Sequence, residues 1–138
     1  MSVLLHVLPV ASVSATPLNF GSFSRDSETV SAKAAIVVMV SYGVPYNVVL
    51  SAGMHYSQAW RNVEGSGSLI PYGLFQESGD EWGDGDFDGT YPRGRSRSGI
   101  GTGTVQVLTV RGELYVSTLL STSPPGAYQD VVTVTVYY

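Results

Sequence analysis

Asp84-Gly-Asp86-Phe-Asp88-Gly89 is the stretch of this 138-residue chain whose residue types and spacing come nearest to chemistry. Three carboxylates at alternate positions, with a glycine to permit the turn, match the opening of an oxygen-ligand loop for a hard cation such as calcium. The loop's twelfth position should carry Glu, and here it carries Arg95, which would repel an ion. Asp80 and Glu81 stand near enough in sequence to substitute. The competing reading is a solvated acidic loop answered by Arg93, Arg95 and Arg97, each surface pair being worth little. The second reading is preferred, so no metal ligand is assigned.

Other reactive groups are sparse. Cysteine is absent, which removes disulfides and thiolate metal sites. His6 and His55 are the whole histidine complement, too few for a zinc centre. No Gly-x-Ser-x-Gly elbow is followed by the Asp and His that a nucleophilic serine needs. Acids in a Gly-rich loop lack the rigid, partly buried setting that separates carboxylate pKa values. The chain is therefore not expected to be an enzyme, and no catalytic residue or cofactor is assigned. Tyr42, Tyr46, Tyr56, Trp60, Trp82 and Tyr91 could form a sugar-stacking face, although aromatics of this kind more often pack under loops or between sheets. A calcium-dependent carbohydrate-binding, adhesin-like β-sandwich is the alternative function these residues allow.

Composition narrows the rest. Charged residues make up 13% of the chain, about half the usual share. A net charge of −4 argues against nucleic acid, which needs a basic face. The longest apolar run, Ala34 to Val40, is too short for a membrane-spanning helix, and no membrane insertion is expected. Polarity comes mainly from hydroxyls and amides, which suits a secreted surface protein. The length suits one domain with a full core.

The elements that would position these residues read as strands. Residues 11–23 alternate and then break at Pro17 and Gly21, giving a short strand and an extended edge segment. Ser24 to Ser31 reads as a loop, and Ala32 to Val40 as a central, β-branched strand. Tyr42-Gly-Val-Pro45 turns the chain into Tyr46–Leu50, expected to close a hairpin with the strand before it. Residues 51–67 are mixed, and Leu69 to Gln76 forms a strand. The charged, Gly-rich residues 77–103 read as exposed. Thr104 to Val110 is a strand, Gly112 kinks the chain, and Leu114 to Leu120 follows. After a turn over 121–126, Tyr128 to Tyr138 alternates, with Val132, Val134 and Val136 on one side and Thr133 and Thr135 on the other. Short strands spaced by turn signals, with no amphipathic helical period, point to an antiparallel sandwich.

The leading segment, Met1 to Val10, is apolar almost throughout. Its set Met1, Val3, Leu5, Val7 is purely apolar, and the set Leu4, His6, Leu8, Val10 is nearly so. Strands with two buried faces look like this. A secretory signal would carry a basic start, which is missing, and Pro9 interrupts the run. The question is whether this segment completes its own sheet or that of another copy.

The last segment, Gly126-Ala-Tyr128-Gln-Asp130-Val-Val-Thr-Val-Thr-Val-Tyr-Tyr138, resembles the closing strand of the spore coat protein U domain family, which includes the pilins of archaic chaperone–usher pili. Further landmarks fall in order. They are Ala15-Thr-Pro-Leu-Asn-Phe-Gly21, Gly43-Val-Pro-Tyr46 with Val49-Leu-Ser-Ala-Gly53, and Arg61. Leu69-Ile-Pro-Tyr72-Gly-Leu-Phe75, Trp82-Gly-Asp-Gly85 and Thr109-Val-Arg-Gly112 complete the series. One departure stands out: the family's two usual cysteines align with Ala11 and Val40, lost together as bonded partners would be.

The resemblance implies an all-β fold, an incomplete immunoglobulin-like antiparallel sandwich completed by a donor strand from a neighbouring subunit. Residues 1–10 would be the donor extension and 11–138 the pilin domain. Val3, Leu5 and Val7 would point into the partner's groove, and Val132, Val134 and Val136 would help line it. The implied partners are identical subunits in a head-to-tail filament, with a periplasmic chaperone and an outer-membrane usher during assembly. The implied setting is an extracellular pilus serving attachment or biofilm formation, and a single domain with its own donor strand fits a repeating shaft subunit.

Overall fold

A computed structural model of the chain describes residues 1–22, 29–115 and 123–138. Its strands are β1 (Ala11–Ala15), β2 (Thr29–Val40), β3 (Pro45–Leu50), β4 (Arg61–Gly65), β5 (Ser68–Phe75), β6 (Arg97–Ile100), β7 (Val105–Tyr115) and β8 (Val134–Tyr137). They form a five-stranded sheet in the order β1-β2-β7-β5-β4 and a three-stranded sheet in the order β6-β3-β8. Every strand pair is antiparallel. This is the two-sheet, all-β sandwich expected from the strand spacing, and no helix occurs among the described residues.

The core lies between the sheets and follows the period of two along each strand. Ile36, Val38 and Val40 of β2 face Val48 and Leu50 of β3, with Leu108, Val110 and Leu114 of β7 beside them. Trp82 ties the two layers together. Its backbone N–H donates to Leu74 O at 2.8 Å on one sheet, and its indole Nε1–H donates to Val48 O at 2.9 Å on the other.

Several expectations about the elements need correction. β2 and β3 do not form a hairpin, because the turn between them carries the chain from one sheet to the other. β2 pairs instead with β1 and β7, and β3 with β6 and β8, which places the continuous apolar run of β2 inside its sheet, one strand from the edge. β7 runs through Gly112 without a break. A Cβ there would lie 2.9 Å from Leu18 Cδ1 and Phe20 Cζ, so the glycine makes room for the segment that crosses above it. β2 begins at Thr29, inside the region read as a loop, and β4 emerges from the mixed stretch 51–67.

Residues 77–103 are not uniformly exposed. Trp82, Asp84 and Tyr91 are buried, and β6 pairs with β3. Only Val134–Tyr137 of the closing alternation is strand. The expected loop over residues 24–28, the strand over 116–120 and the first residues of the turn at 121–126 lie outside the described residues.

Register fixes which end of the sandwich is which. Ala11 pairs with Val40 and Ala15 with Ile36, so residues after 15 run away from the β2–β3 turn. Asn47 pairs with Tyr137 and Leu50 with Val134, so residues before 134 lie away from that turn as well. Met1 to Val10, by contrast, leave at the turn itself, where Val10 O accepts the Ser41 N–H at 3.1 Å.

Candidate functional site: an open-edged apolar groove

Segments 15–22 and 126–134 form the two walls of a groove of about 800 Å³ at the end of the sandwich opposite the leading segment. Core side chains make its floor, among them Ile36, Leu50, Ile70, Tyr72, Val110 and Leu114. Each wall is held to the body from behind. On one side Thr16 N–H donates to Ala35 O at 2.9 Å, and Phe20 meets Tyr72 edge to face at 6.1 Å between ring centres.

The other wall is bonded on alternate residues only. Gln129 exchanges both backbone bonds with Glu64, Val131 O accepts the Met54 N–H, and Thr133 O accepts the Ser51 N–H. Among the described residues, the backbone N–H and C=O groups of Tyr128, Asp130 and Val132 have no backbone partner. The groove is thus flanked by a run of backbone groups without backbone partners, the kind of surface on which a strand can add.

Asp130 pins this wall. Its carboxylate, whose side chain is 2% exposed, accepts from the backbone N–H groups of Met54 at 3.0 Å and His55 at 3.2 Å. Tyr72 Oη donates to its second oxygen at 2.6 Å, and His55 Nδ1 lies 3.0 Å from the first. Burial, with this hydrogen bond to a carboxylate, pushes the Tyr72 hydroxyl pKa well above its usual value. One side chain therefore joins the groove wall to the loop at 53–55 and to the groove floor. Nothing but a lone acid ahead of a β-branched run marks Asp130 in the sequence.

Arg61 has a comparable place beneath the wall and is fully buried, at 0% exposure. Its Nε and Nη2 donate to Ser51 O at 2.9 and 2.7 Å, Nη2 also to Leu50 O at 3.0 Å, and Nη1 to Trp82 O at 2.7 Å. Its guanidinium stacks 4.0 Å from the centre of the Tyr91 ring. Burial lowers its pKa, opposed by the partial charges and acids around it. The planar fork of arginine suits this clustering of carbonyls, where a lysine ammonium would not.

The expected donor residues Val3, Leu5 and Val7 are 83%, 85% and 84% exposed, in a segment with no strand pairing of its own. His6 is exposed with them. Val132 and Val134 line the groove, whereas Val136 lies beyond it and packs against the core.

Asp84, Asp86 and Asp88 are not turned towards one point. Asp84 is buried and accepts from Thr90 Oγ1 at 2.5 Å and the Tyr91 N–H at 2.6 Å. Asp86 accepts from the Ser96 N–H at 2.8 Å and Ser96 Oγ at 2.6 Å. Desolvation raises the Asp86 pKa, but these bonds outweigh it and hold the carboxyl below the usual range. Asp88 accepts from Tyr137 Oη at 2.6 Å, and Phe87 beside it stacks on the Tyr137 ring at 4.7 Å. Asp84 and Asp86 thus fold the 77–103 region onto itself, and Asp88 fastens it to Tyr137 of the closing strand. Among the described residues no group of three or more His, Cys, Asp or Glu side chains converges as a metal site would.

The aromatic residues considered for sugar stacking divide. Tyr46, Trp82 and Tyr91 are buried, and Tyr42 is exposed at the β2–β3 turn. Trp60 carries the Arg93 guanidinium 3.7 Å from its ring centre and meets Tyr115 edge to face.

Comparison with known proteins places this geometry. No curated protein matches the chain. A likeness does extend to a chain in the crystal structure of the CsuC-CsuE chaperone–tip adhesion subunit pre-assembly complex from archaic chaperone–usher Csu pili of Acinetobacter baumannii, at 25% identity and a TM-score of 0.66. It covers 96% of this chain but only 40% of that one. The family model described as the Spore Coat Protein U domain matches residues 1–135. On that match across nearly all of its length, the chain belongs to the Spore Coat Protein U domain family.

Proposed function

We propose that the chain is a structural subunit of an extracellular chaperone–usher-type pilus, polymerising by donor-strand complementation. The observation that carries this reading is that one chain holds both halves of a strand-addition contact. An apolar groove beside an unpaired edge lies at one end, and an exposed, alternating apolar segment lies at the other. Residues 1–9 of one copy enter the groove of the next, with Val3, Leu5 and Val7 on the core-facing side and main-chain bonds to the edge of 126–134. Burying three such side chains contributes roughly 1.5–3 kcal/mol each, and each ladder bond adds about 0.5–1.5 kcal/mol net.

The contact is heterologous and does not close, so repetition builds a filament. Release requires partial unfolding of the recipient, which makes durability a matter of rate. Before assembly the same groove needs a temporary occupant, the role of a periplasmic chaperone; the structural neighbour's complex with a chaperone supports this. Surface display for attachment or biofilm formation follows from a fibre assembled through an outer-membrane usher. The role is one of assembly and involves no catalysis.

Deleting residues 1–10 tests the proposal. The truncated chain should remain a monomer, alone or chaperone-bound, under conditions where the full chain forms fibres visible by electron microscopy. Ordinary fibres from the truncated chain would overturn it.

A further inference from the structure

The β2–β3 turn gathers exposed apolar side chains that neither the core nor the groove uses. Tyr42 is 86% exposed and Ile100 63%, and Val10, also exposed, lies beside them. The backbone beneath them is tightly knotted. Gly43 N–H donates to Gly101 O and Gly101 N–H to Val44 O, both at 2.8 Å, while Gly103 N–H donates to Val40 O at 2.9 Å. A Cβ on Gly101 would lie 2.1 Å from Ser41 O, so two chain segments touch there with no room between them. Apolar groups held on a stiff base present a defined surface.

The leading segment is anchored to the same spot. Val10 N–H donates to Ser41 Oγ at 2.9 Å, and Ser41 N–H donates back to Val10 O at 3.1 Å. The apolar run 1–8 therefore joins the body without a flexible linker: Pro9 follows it, and Val10 is already clamped. From Val7, the last of the three donor side chains, to the clamped Val10 is three residues, which span at most about 10 Å. Whatever seats Val7 must come within that reach of Val10, which is clamped to Ser41 beside Tyr42.

We infer that the pole formed by Val10, Tyr42 and Ile100 is a second contact surface, and that its partner is the copy of this chain whose groove holds residues 1–9. The inference rests on the polymerisation proposed above and adds a body-to-body contact to the strand exchange. Covering these side chains turns the joint between successive copies from a tether into a stacked contact.

Thiol labelling tests it cleanly because the chain has no cysteine. Tyr42→Cys and Ile100→Cys are each compared with Ser78→Cys, an exposed position on the loop that follows β5 and outside the proposed contact set. The full-length variants are treated with a maleimide as fibres and as monomers whose groove is capped by excess peptide of residues 1–9. Labelling of Tyr42→Cys and Ile100→Cys should be lost in fibres and present in capped monomers, with Ser78→Cys labelled in both. If both pole variants fail to form fibres while Ser78→Cys polymerises, the contact is likewise supported. Equal labelling of the pole variants in fibre and monomer overturns the contact while leaving strand exchange standing. Absence of fibres from the unmodified chain overturns both.

Discussion

Ala11 and Val40 face each other across the β1–β2 ladder as direct cross-strand partners. Val40 is fully buried and Ala11 packs against the same core. A small and a branched apolar residue thus sit side by side at the two positions where the resemblance leads one to expect paired cysteines. Converting both to cysteine should restore the bond under oxidising conditions and add about 2–4 kcal/mol to stability. Thermal melts with and without reductant check this. Equal melting temperatures would show that the two positions cannot be bridged.

A synthetic peptide of residues 1–9 should bind the truncated chain that lacks them. Ligand that binds only the folded state stabilises it by about 2.7 kcal/mol at a hundredfold excess over the dissociation constant. The melting temperature should therefore rise with peptide concentration. A peptide carrying Leu5→Asp should give no rise, because a buried carboxylate would face the apolar floor without a partner.

Arg61→Met should destabilise the fold by about 1–3 kcal/mol for each buried carbonyl it leaves without a donor. The change strands the carbonyls of Leu50, Ser51 and Trp82, which Arg61 alone brings together. Arg61→Lys should recover only part of the loss, since one ammonium cannot reproduce the fork. Urea midpoints read both effects.

Stability should decline in alkali above the ordinary tyrosine pKa of about 10. Burial first, and then hydrogen bonds to Asp130 and Glu81, raise the Tyr72 and Tyr91 pKa values above their unfolded values. The folded state then holds protons that the unfolded chain has released, so the stabilisation is full below that pKa and falls as pH rises through the window. Tyr72→Phe should lower stability at neutral pH and flatten the alkaline slope. Melting temperatures between pH 8 and pH 11, ordinary values for this test, give the comparison.

Calcium should leave the melting temperature unchanged. The carboxylates of Asp84, Asp86 and Asp88 already accept hydrogen bonds from Thr90, Tyr91, Ser96 and Tyr137. A cation would have to break those bonds to gather them. A calcium-dependent rise abolished by Asp86→Ala would favour a binding module instead.

Strand identity was legible where side-chain chemistry alternates or runs unbroken. The apolar run of β2 and the Val-Thr alternation before Tyr138 reveal themselves by type alone. What escaped the sequence was decided by partners far along the chain. Gly112 looks like a kink, yet the need it meets is set by Leu18 and Phe20, some ninety positions earlier and packed on top of it. The β2–β3 turn looks like a hairpin because turn residues specify reversal and not which sheet receives the returning strand.

At the groove, the apolar character of Val132 and Val134 was readable, but the unpaired edge was not. It depends on which backbone groups of residues 128–133 are already taken by residues 51–54 and 64. The role of Asp130 was hidden for the same reason: its donors come from Met54, His55 and Tyr72. The aspartates of the acidic loop misled in the opposite direction. Their spacing is right for an ion, but separate donors, Thr90 and Tyr91, Ser96, and Tyr137, draw each carboxylate its own way.

The leading peptide departs beside Ser41, while the cleft opens at the far extremity of the body. A row joined through these two features has an intrinsic arrow. One terminus displays an unfilled cleft and the other a free peptide, so the two tips are chemically distinct and growth or capping at either can be controlled separately.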